Sequence, residues 1–191
     1  MRAPVSTAEH VARQLSTEPH LEWSPAAIGL CKAVESEVVG RILQPLADRV
    51  ASQDLGADKR DTELKPVATC CIDATCKPPE LGTFSRFLEV AIHSQRRRRT
   101  SKLLAAFYTL CSDWVESHWI LQTTGLSNAL TELIKNFRNP AAHIDQLSQE
   151  DYAACRSLVI GPVGMLWRIV LATQNQPEVL PNLVVRRQVA S

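Results

Sequence analysis

The sequence has no surplus of charge of either sign. Its 191 residues include 21 basic and 20 acidic side chains, so the formal net charge is +1 at pH 7. Bulk electrostatic attraction alone therefore cannot hold a nucleic acid or an anionic membrane. The hydrophobic fraction of 45% and the low net charge together exclude a wholly disordered chain.

Long hydrophobic runs are also missing. We find no unbroken stretch of about 18 apolar residues, which predicts that no helix spans a membrane and that no membrane partner is needed. The amino-terminal sequence MRAPVSTAEHVARQL contains no continuous apolar segment of the kind found in secretory signals. We therefore expect a cytoplasmic protein.

The six cysteines lack the spacing of a metal site, because no Cys-x-x-Cys or His-x-x-x-His pair occurs. Cys31, Cys111 and Cys155 fall on the apolar stripes of predicted helices, where a free thiol packs as a small hydrophobe. The other three lie in a loop-like segment: Cys70, Cys71 and Cys76. We favour reduced thiols over a zinc site there, and we expect no metal and no cofactor.

Apolar residues recur every three or four positions through most of the chain, and alternating β-branched runs are few. This pattern predicts an all-α fold, an antiparallel helical bundle of four to five helices. Ser24 is the predicted N-cap of the first core helix, and Pro45 is predicted to kink or end it. The predicted helices cover about 6–15, 24–46, 83–93, 102–115, 126–138 and 148–170.

Turn-forming residues divide the chain. Gly56, Pro66, Pro78, Pro79 and Gly82 predict that 52–82 is a long loop after the first core helix, either mobile or a lid. The predicted organisation is an N-terminal segment with a short helix (1–23), a helical bundle (24–172, with 52–82 as a loop insertion) and a loosely attached tail (173–191).

The most informative stretch is Lys135-Asn136-Phe137-Arg138-Asn139-Pro140-Ala141-Ala142-His143. The helix is predicted to end at Arg138-Asn139-Pro140, because a residue before proline disfavours helical geometry. Arg138 offers a charged planar fork that matches phosphate oxygens, and His143 exchanges protons near neutral pH. Those two groups are what RNA cleavage without a metal requires.

The spacing of Arg138 and His143 is not distinctive by itself, because Arg13 with His20 and Arg86 with His93 are spaced similarly. Two features distinguish Arg138 and His143 from those other pairs. Asn139 directly follows Arg138, and a long amphipathic helix follows the motif. The pattern Arg-Asn-x-x-x-His resembles the motif of the HEPN (higher eukaryotes and prokaryotes nucleotide-binding) family. Upstream, the stretch SPAAIGLCKAVE (24–35) is similar to the helix that opens many HEPN domains, and the resemblance covers about 24–172.

The resemblance implies a metal-independent endoribonuclease that works as a homodimer on RNA, with two motifs facing one cleft. It implies a phosphate-stabilising role for Arg138, general acid–base catalysis by His143 and support from Asn139. Such proteins often act in antiviral defence or toxin–antitoxin systems, so an antitoxin or defence partner is possible. Asp145 stands where family members regulated by a nucleotidyltransferase often carry tyrosine, which argues against that regulation.

Two alternatives stay open for the motif. The chain can be a non-catalytic HEPN-like module that binds nucleotide or RNA or dimerises, or Arg138 and His143 can simply cap a helix. Lys32 and Glu35 are expected to form a surface pair, with Glu35 a minor candidate for the site.

A run of four arginines is the second candidate for RNA contact. Arg96, Arg97, Arg98 and Arg99 form either a basic stripe that guides RNA or a solvated helix connection. Trp114 and Trp119 could stack on RNA bases, but we expect them to fill the core or a contact between protomers.

Overall fold

The structure is a computed structural model that describes residues 2–17, 21–142 and 146–175. Within these ranges the fold is all-α, as the sequence predicts, and β-type pairing is limited to an isolated bridge between Trp114 and Asn175. The α-helices are α1 (Arg2–Leu15), α2 (Ser24–Val38), α3 (Gln44–Val50), α4 (Lys65–Ile72), α5 (Leu81–His93), α6 (Gln95–Thr100), α7 (Lys102–Ser112), α8 (His118–Leu121), α9 (Leu126–Leu133), α10 (Asn139–Ala142), α11 (Gln149–Ile160) and α12 (Met165–Ala172). They outnumber the predicted four to five because several predicted helices are divided.

Helix α2 lies at the centre of the fold, in contact with α1, α10, α11 and α12. Apolar residues three and four positions apart face the core, and Ala27, Cys31 and Val34 are buried. Residues 24–50 form one continuous helical rod, in which Ile42 and Leu46 continue the same buried stripe. The aromatic side chains Phe84, Phe87 and Phe107 fill the same core from α5 and α7. One hydrophobic cluster therefore joins the elements from α1 to α12.

Two prolines coincide with π-helical turns rather than with helix ends. Val39–Leu43 forms a π-turn before Pro45, and Ile134–Arg138 forms another before Pro140. In each case the residue before the proline donates its backbone N–H to the carbonyl five residues earlier. The wider turn accommodates a ring that has no N–H and would collide with the carbonyl four residues earlier in a regular α-helix.

The predicted helix end at Arg138-Asn139-Pro140 is therefore wrong. Asn139 has helical backbone angles, φ −70° and ψ −48°, and the helix continues as α10 to Ala142. The preference of a residue before proline for extended geometry is overcome because the π-turn relieves the steric conflict. Arg138 consequently lies inside a continuous helical segment instead of at its end.

Residues 52–82 are less irregular than predicted. They contain a short 3₁₀ helix, Asp58–Arg60, and the eight-residue helix α4. Pro66 does not prevent α4, because it lies in the first turn, where a missing N–H costs no helical hydrogen bond. The Asp61 carboxylate accepts the N–H groups of Glu63 and Leu64 at 3.0 and 3.3 Å just before that helix. The buried side of α4 consists of Val67, Ala68 and Cys71.

Serines near the starts of α11 and α2 have different roles. Ser148 is the N-cap of α11, since its hydroxyl accepts the N–H of Asp151 and the Asp151 carboxylate accepts the N–H of Ser148 at 2.9 Å. Ser24 is the first helical residue of α2 rather than its cap, which is Trp23. The Ser24 hydroxyl instead accepts the N–H of Leu147 at 3.4 Å and is buried.

The predicted last helix, 148–170, is interrupted. The chain leaves helical geometry between α11 and α12, and Val163, which lies within the predicted helix 148–170, is 78% exposed. Taken as a whole, Gln149–Ala172 is long and apolar enough to cross a membrane, with a mean hydropathy of 1.5 over 18 residues, although it contains no unbroken apolar run of that length. The interruption leaves helices of 12 and 8 residues, each shorter than the roughly 20 that cross a bilayer.

Candidate functional site

A cavity of about 630 Å³ lies where the predicted motif meets helix α2. Its walls come from α2, from the π-turn that follows α2, from the segment 77–80 and from the helical segment that carries the motif. We call it the Arg138 cavity; its lining consists of Ile28, Cys31, Lys32, Glu35, Ser36, Val39, Gly40, Lys77, Pro78, Pro79, Glu80, Arg138 and Ala142. Its volume is within the range typical of small-molecule sites.

Arg138 faces this cavity with a partly accessible guanidinium. The side chain is 30% exposed, and Nη2 donates a hydrogen bond to Glu80 Oε2 at 3.1 Å. Nη1 donates to Asn139 Oδ1 at 3.4 Å, so the two neighbouring side chains of the motif are in contact. Neither partner is a carbonyl at a helix end, so the contacts of Arg138 do not match the capping alternative.

The other half of the motif falls outside the part of the chain that the structure describes. Residues 143–145 include His143 and Asp145, so neither the catalytic prediction nor the regulatory one is tested for them. Ala142, which precedes His143 in the sequence, lines the Arg138 cavity. The structure thus locates Arg138 and Asn139, and leaves His143 as a prediction.

Charged groups from three separate parts of the chain surround the Arg138 cavity. Lys32 and Glu35 come from α2, and Lys77 and Glu80 come from the segment 77–80. The expected ion pair between Lys32 and Glu35 is absent from the described part of the chain. Sequence reasoning missed Lys77 and Glu80, since no motif connects them to a residue about 60 positions later.

The arginine run is a short helix, α6, and only half of it is open to a ligand. Arg97 forms ion pairs with Asp61, at 3.0 Å, and with Glu63. Arg98 donates a hydrogen bond to the Tyr108 hydroxyl at 3.1 Å and stacks over its ring.

Arg96 and Arg99 are exposed and make no ion pair within the described ranges. The predicted basic stripe is therefore reduced to these two residues, because the other two hold α6 against the rest of the molecule. None of the four lines the Arg138 cavity.

Both tryptophans considered for base stacking belong to the core. Trp114 and Trp119 are 4% and 5% exposed, which confirms the core interpretation. The guanidinium of Arg168 lies over the Trp119 ring, with its central carbon 4.7 Å from the ring centroid. Their ring faces are thus already covered, and they leave no platform for a base.

Comparison with known proteins gives no independent identification. No protein-family model matches the chain, and neither a curated protein nor a solved structure is significantly similar to it. Among the described residues there is also no group of three or more His, Cys, Asp or Glu side chains placed to hold a metal ion. The assignment of a function consequently rests on the motif and on the geometry of the Arg138 cavity.

Proposed function

We propose that this chain is a metal-independent endoribonuclease of HEPN type, with the scissile phosphate bound in the Arg138 cavity. The observation that supports the proposal is the position of Arg138 on the wall of a nucleotide-sized cavity, with Asn139 against its guanidinium. Two further cations, Lys32 and Lys77, line the same cavity, so its three positive side chains outnumber the two carboxylates of Glu35 and Glu80.

The proposed reaction is an internal transesterification of RNA. The ribose 2′-oxygen attacks phosphorus and loses its proton to a base, the bond from phosphorus to the 5′-oxygen breaks, and that oxygen receives a proton. The products are a 2′,3′-cyclic phosphate and a 5′-hydroxyl. We assign the proton transfer to His143 and the neutralisation of the phosphate oxygens to Arg138, with Asn139 holding the guanidinium.

A second copy of the chain completes the proposed site. One motif supplies one imidazole, whereas the reaction gains from a base and an acid acting together. We therefore propose a homodimer in which two Arg138 cavities share one cleft, acting in the cytoplasm in antiviral defence or a toxin–antitoxin system. Arg96 and Arg99, the two open arginines of α6, are the proposed outer contacts for RNA.

Cleavage of RNA by the purified protein in EDTA tests this proposal. We expect Arg138→Ala and His143→Ala each to lower the cleavage rate by about 10²-fold or more, since positioned charge and proton transfer each contribute on that scale. Arg86→Ala is the matched control, because Arg86 is an exposed arginine of α5 that does not line the cavity. Full activity of the Arg138 variant, or loss of activity in EDTA, would contradict the proposal.

The second candidate is a non-catalytic module that binds a nucleotide or RNA. It is favoured by the apolar wall of the cavity, where Ile28, Val39 and Pro78 offer a surface for a base. This candidate predicts binding without turnover, weakened by Arg138→Ala and hardly changed by His143→Ala. Multiple-turnover cleavage would exclude it.

A further inference from the structure

Three of the six cysteines line a second cavity, of about 340 Å³, farther along the rod. Cys70, Cys71 and Cys76 form one wall of it, and residues of the first π-turn and of α3 form the opposite wall. We call it the thiol cavity. It shares Val39 and Pro78 with the Arg138 cavity, so the two cavities are neighbours.

Exposure distinguishes these three thiols: Cys70 and Cys76 are half-buried, whereas Cys71 is buried. Cys71 lies on the buried side of α4 and is 8% exposed. Cys70 precedes it by one residue and thus points about 100° away around the helix, where it is half-buried. A vicinal disulfide between these adjacent residues would have to disrupt α4.

Cys76 returns to the end of α4 through a tight turn. Its backbone N–H donates to the Asp73 carbonyl at 2.9 Å, and the Asp73 carboxylate accepts the Thr75 N–H at 2.9 Å. Cys76 is half-buried, like Cys70, so both thiols are accessible to a small reagent. Burial raises the pKa of the Cys70 thiol, and the nearby Cys76 sulfur raises it further.

We propose that Cys70 and Cys76 are a thiol–disulfide exchange site that forms a reversible disulfide with a low-molecular-weight disulfide, such as oxidised glutathione, as the oxidant. One cysteine thiol loses its proton and attacks a glutathione sulfur, which forms a mixed disulfide and releases one glutathione thiol. The second cysteine then attacks the protein sulfur of that bond and releases the second glutathione thiol. Two protein thiols are oxidised and one disulfide is reduced.

The cross-link would close a loop of seven residues at the point where the chain enters the segment 77–80. It would join α4 to Cys76, the residue directly before the segment 77–80 that lines the Arg138 cavity. The exchange reaction needs no RNA, so it is measured independently of the proposed ribonuclease activity. The outcome of one test leaves the other unaffected.

The experiment maps disulfides in the full-length protein after treatment with oxidised glutathione under native conditions. Remaining thiols are blocked with N-ethylmaleimide, and the chain is cut with trypsin and with a protease that cleaves before aspartate. We expect a disulfide-linked pair of the peptides 61–72 and 73–86, which disappears on treatment with dithiothreitol. The link should be absent in Cys70→Ser and Cys76→Ser and present in Cys71→Ala.

Fragmentation of the linked wild-type peptide identifies the bonded sulfur even if Cys71→Ala does not fold. A Cys71–Cys76 bond, a Cys70–Cys71 bond, or mixed disulfides with glutathione and no bond between two cysteines of the protein would each overturn the proposal. Cys111→Ser serves as the control, because Cys111 is fully buried in the core and lies outside the thiol cavity. It should leave the link between the two peptides unchanged.

Discussion

The Glu80 carboxylate is paired with the Arg138 guanidinium, the group that would bind an RNA phosphate in the proposed function. Glu80 is 58% exposed, and its ion pair with Arg138 is of the surface type that contributes about 0.2–1 kcal/mol. Glu80→Gln should therefore raise the affinity for RNA by up to about fivefold, because the phosphate no longer competes with a carboxylate. Fluorescence anisotropy with a 2′-O-methyl RNA, which cannot be cleaved through its 2′-oxygen, measures this change.

Glu89→Gln is the matched control for that measurement. Glu89 is exposed on α5 and does not line the Arg138 cavity, so its substitution changes the net charge equally without freeing Arg138. Equal gains in both variants would show that only overall charge matters. A lower affinity in Glu80→Gln would mean that Glu80 helps to hold the ligand.

Single residues also show what the sequence could and could not predict about the site. Arg138 and Asn139 are recognisable because they are adjacent in one motif, and their side chains do meet. Lys77 and Glu80 reach the same cavity only through tertiary packing, which leaves no trace in a local pattern. Ser24 has the sequence context of an N-cap, but its hydroxyl is used by Leu147, more than 100 positions away.

At the level of helices, the contact of α1 with α2 depends on a glycine. A Cβ atom added at Gly29 would lie 2.9 Å from the Ala8 Cβ atom and 3.2 Å from its Cα, so the helices would have to separate. Gly29→Ala should lower the free energy of unfolding by about 1–3 kcal/mol, as overpacking typically does. Urea denaturation, followed by the helical circular dichroism signal, measures the loss.

Two further variants make the Gly29 result specific. Gly40→Ala is the control, because an added Cβ atom there meets nothing within 4 Å; we expect it to stabilise the rod by up to about 1 kcal/mol. Adding Ala8→Gly to Gly29→Ala should restore part of the lost stability, since it removes the closest contact. If Gly29→Ala proved as stable as the unsubstituted protein, the close helix contact would be refuted.

The helices show why element boundaries were harder to predict than element types. The apolar stripes of α2, α5, α7 and α9 follow the sequence periodicity, because burial on one side selects residues three and four apart. The expectation that a helix ends before a proline was wrong at Pro140, because the π-turn before it provides space for the proline ring. Sequence periodicity does not reveal a π-turn. The position of Arg138 inside a continuous helical segment therefore could not be predicted.

Across the whole molecule, the all-α fold was predictable and the arrangement of its parts was not. Low glycine content and a persistent helical period are properties of the chain alone. The place of 52–82 depends on distant contacts: the buried Asp58 carboxylate accepts the N–H of Leu103 at 3.4 Å, at the start of α7. What resembles a loop in sequence therefore helps to cap a core helix.

One acidic residue of the amino-terminal helix makes polar contacts with α11. Glu9 of α1 accepts hydrogen bonds from Arg156 Nε at 2.7 Å and from the Tyr152 hydroxyl at 3.1 Å, both on α11. The hydrogen bond from Arg156, together with the other contacts, lowers the pKa of Glu9 below its ordinary value of 4.5. The ionised carboxylate is thus the form that the folded state favours.

This lowered pKa predicts a pH-dependent contribution to stability. The contribution is present above the pKa of the unfolded chain and is lost as the pH falls through the lower, folded pKa. Arg156 is 50% exposed, so solvent screening limits the effect to roughly 0.5–1 kcal/mol. Glu9→Gln should therefore destabilise the protein at pH 7 and differ progressively less from the unsubstituted chain as the pH falls below about 4.5.

Thermal unfolding at a series of pH values measures this difference. Glu132→Gln is the control, because Glu132 is exposed on α9 and no hydrogen bond or ion pair holds it within the part of the chain described. A difference between Glu9→Gln and the unsubstituted protein that stays constant with pH would mean that packing, rather than the charge of Glu9, joins α1 to α11. A difference that vanishes with protonation would identify this ion pair as the electrostatic link between the two helices that flank α2.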